Sequence, residues 1–176
     1  TNMFFMFSSC ELFEGTGLDK WNVSNVTNME QMFYSCKQLK LNLSSWGKRV
    51  SNVENMSAMF SAATEFEGTG LETWNVSNVV DMRGMFLNCR KLSCDLSGWD
   101  VSNVTNMYRM FQGCEKFNGD LSKWNVSNVE NMSYLFMECD IFKSDLSSWD
   151  VSKVGQLHTN MFKDCSNMKP KFRPKF

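Results

Sequence analysis

Apolar and polar positions alternate in two ways along this chain, and the switch between them recurs about every 25 residues. Trp21 and Val23 alternate with Asn22 and Ser24, a period of two that predicts a short strand with one buried face. Met29, Met32, Phe33 and Cys36 then fall at i, i+3, i+4 and i+7, which predicts one face of a short helix. Thr27 suits the N-cap of that helix, and Glu30 completes a capping box. Leu39 and Leu43 are apolar points on the link back to the next strand. The expected inward set of one repeat is therefore Leu18, Trp21, Val23, Val26, Met29, Met32, Phe33, Cys36 and Leu39.

The unit returns with little change. Its tryptophans stand at 21, 46, 74, 99, 124 and 149, spaced 25, 28, 25, 25 and 25 residues apart. A period of this length marks a solenoid, in which each repeat packs only on its neighbours. Residues 1–20 match the back half of a repeat, so the chain reads as a piece of a longer array. The second repeat is irregular: Gly47-Lys48-Arg49 adds two residues before Val50. The turns Glu14-Gly-Thr-Gly17 and Glu67-Gly-Thr-Gly70 carry glycine pairs, which supply positive-φ positions. Asp95, Asp120 and Asp145 precede Leu-Ser, where a short acidic side chain bonds its own turn. Residues 1–168 form one repeat domain, and 169–176 have no repeat signature and read as a cap, linker or tail.

Composition narrows the function. The net charge of −1, from 18 basic and 19 acidic residues, supplies no field for nucleic acid or an anionic membrane. No apolar run reaches the ~18–20 residues needed to span a bilayer, so direct membrane insertion is not expected. Cysteines 10, 36, 89, 114, 139 and 165 share one repeat position, which Ala63 fills in the second repeat. A thiol replaceable by a methyl group is expected to be core packing. Cys94 lies outside this column, in a turn, and is the candidate reactive or intermolecular thiol. His158, the sole histidine, has no partner base nearby in sequence, and the Asn/Asp column at 22, 75, 100, 125 and 150 lacks the glycine spacing of calcium-binding repeats. Neither enzyme chemistry nor any cofactor or metal is expected.

Written from Leu18, the pattern Leu-x-x-Trp-x-Val-x-x-Val-x-x-Met resembles the leucine-rich repeat, with Trp and Val at leucine positions. The closer likeness is to the BspA-like surface-protein repeat, W-[ND]-V-S-N-V-T-N-M-x-x-M-F-x-x-C-x-x-F-N-G-D-L-S, which Trp99 to Ser122 match nearly throughout. The expected architecture is thus a right-handed α/β solenoid of leucine-rich-repeat type, with a short parallel strand and a short helix in each repeat. The resemblance implies a secreted or cell-surface, non-enzymatic protein-binding or adhesion module, with a host or neighbouring-cell protein as partner. The alternative is a structural spacer or shell component that assembles with copies of itself.

Two faces are candidates for contact. Leucine-rich-repeat proteins usually bind through the strand face, here Asn75, Asp100, Ser102, Lys123, Asn125 and Asp150. The rival is the outward side of the expected helices, with Tyr34, Tyr108, Arg109 and Tyr134, because Tyr and Arg are the residue types that dominate binding energy at interfaces.

Overall fold

The computed structural model describes residues 1–176. It is a stack of similar rungs, one per repeat, wrapped around a single core of 52 buried residues. The expected inward set is inside: Leu18, Val23, Val26, Met29, Met32, Phe33, Cys36 and Leu39 are all buried, while Trp21 is half-buried. Rung lies on rung through columns of identical side chains. Phe7, Phe33, Phe60, Phe86, Phe111, Phe136 and Phe162 stack with ring centroids 5.5–5.8 Å apart.

The α/β leucine-rich-repeat architecture is not what forms. The chain contains no α-helix and no strand longer than an isolated bridge. Its only helical pieces are 3-10 segments at Leu18–Lys20, Ser44–Val50, Leu71–Thr73 and Pro170–Phe172. The segment expected as a helix is a run of tight turns. Gln31 and Ser35 have φ of 54° and 58°, in the left-handed region, as do their counterparts Ala58 and Ala62, Gly84 and Asn88, and Arg109 and Gly113. A left-handed residue every fourth position cannot continue a right-handed helix.

The hydrogen bonds follow. The N–H groups of Met32, Tyr34 and Cys36 donate three residues back, to Met29, Gln31 and Phe33. Those of Met29, Gln31, Phe33 and Ser35 donate to carbonyls of the next rung, at Asn55, Ser57, Met59 and Ser61. Without a helix, Thr27 caps nothing. Instead the Asn28 side-chain oxygen accepts the Glu30 N–H at 2.8 Å, an Asx turn.

The expected strand fails for a related reason. The N–H of Trp74 donates to the Leu71 carbonyl, and that of Val79 to the Val76 carbonyl, so turns crowd in from both sides. Too few extended residues are left between them to make a ladder. The rungs are tied there by side chains, because from Trp46 on each indole N–H donates to a leucine carbonyl of the preceding rung. Trp46 reaches Leu18, Trp99 reaches Leu71 and Trp124 reaches Leu96, at 2.8–3.0 Å. Parallel pairing occurs one step later, as single bridges through Asn2, Asn28, Asn55, Asp81, Asn106 and Asn131.

The two inserted residues of the second repeat are absorbed by Ser44–Val50, which breaks at Gly47. The glycine pairs do adopt positive φ, 87–95° at Gly15, Gly17, Gly68 and Gly70. Residues of the tail pack on the last rung. The Phe172 carbonyl accepts the Leu146 N–H at 2.8 Å, Phe172 packs against the core, and Arg173 lies over the Phe162 ring.

Candidate binding faces

The interior is chemically quiet. Four column thiols donate to the phenylalanine carbonyl of the preceding rung, Cys36 to Phe7, Cys89 to Phe60, Cys114 to Phe86 and Cys139 to Phe111, at 2.9–3.1 Å, and Cys165 donates to the Cys139 carbonyl at 3.1 Å. Burial pushes the thiols of Cys36 and Cys165 up to about 11, and those of Cys89, Cys114 and Cys139 further still. Cys10 differs in being exposed.

Cys94 is not the accessible thiol expected of it. It is half-buried over Gly68, whose missing side chain makes the room, and burial raises its pKa to about 12. His158 is half-buried and stacks on Phe176 with centroids 4.1 Å apart. No group of His, Cys, Asp and Glu is arranged to hold a metal ion.

On one flank a polar trough of about 890 Å³ crosses the rungs. One wall is the asparagine column Asn25, Asn52, Asn78, Asn103 and Asn128, closed by Lys153, and the other is Thr27, Glu54, Val80, Thr105 and Glu130. The asparagines are placed by their own amides. Nδ2 of Asn52, Asn78, Asn103 and Asn128 donates at 2.7 Å to the carbonyls of Ser24, Ser51, Ser77 and Ser102. The Oδ1 atoms of Asn52, Asn78 and Asn103 take no protein donor, whereas that of Asn128 accepts Lys153 Nζ at 2.6 Å. The trough therefore presents a periodic row of hydrogen-bond acceptors, flanked by hydroxyls and two carboxylates.

None of the six residues expected on the strand face lines this trough. Asn75, Asp100, Asn125 and Asp150 stand beside it, exposed, with Oδ1 accepting the N–H of Ser77, Ser102, Ser127 and Ser152. The hydroxyls and N–H groups of Ser102 and Ser152 hold the carboxyls of Asp100 and Asp150 below the usual carboxylate range. Ser102 is half-buried, and its carbonyl is taken by Asn128. Lys123 lines a separate depression of about 540 Å³, with Asp95, Lys116 and Asp120 among its neighbours. The trough asparagines were missed because Ser-Asn-Val looks like spacer sequence. Their recurrence at one repeat position was the available signal.

Of the rival face, the structure brings Tyr108, Arg109 and Tyr134 together and leaves Tyr34 elsewhere, exposed. The Arg109 guanidinium lies 4.9 Å from the Tyr108 ring centroid and 5.0 Å from that of Tyr134. The two rings meet edge to face at 5.9 Å. Arg109 and Tyr134 occupy successive positions of the left-handed column, with φ of 57° and 62°. That alignment of backbone sites is what juxtaposes them across rungs. The buried Nε of Arg109 and the buried Oε1 of Gln112 have no hydrogen-bond partner, an omission that costs about 1–3 kcal/mol per group.

These features define a repeat-array protein whose polar chemistry is carried on its flanks. The chain belongs to the family described as "Mycoplasma protein of unknown function, DUF285", which matches residues 1–72 and 59–174. Among curated proteins none matches it.

Proposed function

We propose that this chain is a non-enzymatic binding or adhesion module, acting outside the cell or at its surface, whose ligand is a protein lying along several rungs. The observation that carries this reading is the trough, with its row of uncommitted Asn52, Asn78 and Asn103 oxygens held at rung spacing by the core beneath. A surface of equivalent weak contacts gains affinity by accumulation, which suits an extended partner better than a small molecule. The match of Trp99 to Ser122 to the BspA-like surface repeat supports the placement at the cell surface.

The test is binding of fluorescently labelled protein to intact cells. Saturable, protease-sensitive binding is expected, weakened at least tenfold by Glu54→Lys with Glu130→Lys. Absence of saturable binding overturns the proposal. The alternative is a spacer that assembles with copies of itself. It predicts concentration-dependent association in sedimentation and no effect of the carboxylate pair.

A further inference from the structure

Every arginine except one has found an oxygen. Arg49 donates to the Trp21 carbonyl, Arg83 pairs with Glu30 and Asp81, Arg90 pairs with Glu115, and Arg173 donates to the Met168 carbonyl. Arg109 has neither a hydrogen bond nor an ion pair, although it is half-buried and its Nε is withdrawn from solvent. We infer that the Tyr108–Arg109–Tyr134 cluster is a docking point for the carboxylate of an acidic residue on a partner protein.

Three features select that occupant. The two Nη–H groups at the end of the guanidinium, which unlike Nε are not withdrawn from solvent, form a fork that receives both oxygens of a carboxylate. The Tyr108 and Tyr134 rings, edge to face with each other, lie 4.9 and 5.0 Å from the guanidinium carbon and offer ring surface beside it for the methylenes of a glutamate. The local charge is single, since Arg83, the nearest arginine in sequence, is already held by two carboxylates. One uncompensated cation answers a monoanion better than a dianionic phosphate. Three residues of types rich in binding energy, two Tyr and one Arg, thus stand at one spot.

The inference rests on the reading of the chain as a binding module but uses a different surface from the trough, so the two fail separately. The experiment follows the Arg109 Nε–H and the tyrosine ring signals by NMR in the intact chain. The probes are a blocked tetrapeptide carrying one glutamate, the same peptide with glutamine, and inorganic phosphate. The glutamate peptide is expected to shift these signals saturably and to bind at least tenfold more tightly than either control. Its affinity should fall at least tenfold in Arg109→Gln and about fivefold in Arg109→Lys, which keeps the charge and loses the fork. Glu54→Lys with Glu130→Lys should leave it unchanged. Equal shifts from the glutamine peptide, tighter binding of phosphate, or undiminished affinity in Arg109→Lys would each overturn the inference. The comparison of peptides on the unaltered chain decides the matter even where a variant folds poorly.

Discussion

The thiol of Cys114 is fully buried and donates to the Phe86 carbonyl, while the thiol of Cys10, at the equivalent position in the first rung, is exposed. Alkylation of the folded protein followed by mass analysis should therefore modify Cys10 first, with Cys94 and the buried column protected until unfolding. Rapid native labelling of Cys114 or Cys139 would contradict the packing. The same burial sets a pH dependence. Folding raises the pKa of Cys36 and Cys165 from 9.0 to about 11, so the folded state keeps protons that the unfolded state releases. Their stabilisation is complete below pH 9 and is lost as pH rises through about 11. The slope is roughly 1.4 kcal/mol per pH unit for each thiol titrating only when unfolded. The melting temperature should fall steeply above pH 9, and Cys139→Ala, a change that Ala63 already makes in its own rung, should flatten the fall.

Within one rung, the sequence pattern revealed which side chains face inward and concealed how the backbone gets them there. A helix and a run of four-residue turns both put i, i+3, i+4 and i+7 on one side, so Met29, Met32, Phe33 and Cys36 fit either. Gly84, Asn88 and Gly113, at the left-handed positions, were the readable warning, but Gln31, Ala58 and Arg109 at equivalent sites carry no such mark. The tyrosine cluster was half legible for the same reason. Tyr108 and Arg109 adjoin in sequence, whereas the approach of Tyr134 depends on the register of successive rungs.

Two glycines separate backbone need from available space. Gly70→Ala should destabilise by several kcal/mol, since φ is 95° and a Cβ would overlap the Ser44 backbone nitrogen. Gly84→Ala should cost only about 1 kcal/mol, because φ is 57° but a Cβ would make only ordinary contacts with Leu87 and Ala58. Trp124→Ala should cost about 3–5 kcal/mol by cavity formation. Trp124→Phe should cost about 0.5–1.5 kcal/mol through the lost indole bond, since the Leu96 carbonyl keeps the Trp99 N–H. Urea denaturation checks all four, and equal effects of the two glycine variants would contradict the backbone geometry.

Across the whole molecule, rungs joined by backbone bonds, indole-to-carbonyl bonds and thiol-to-carbonyl bonds should unfold together, since no rung has a core of its own. The trough and the tyrosine cluster both depend on this stack. Asn78 and Asn103 align because rungs are in register, and Arg109 meets Tyr134 because both sit in left-handed turns. A helix spanning Met107 to Cys114 would carry these side chains to other places. The most direct measurement is therefore the far-ultraviolet circular dichroism of the folded chain. The turn stack predicts no paired helical minima and a single cooperative loss of signal on heating. Helical minima of the size expected from one helix per repeat would contradict the stack and, with it, both proposed faces.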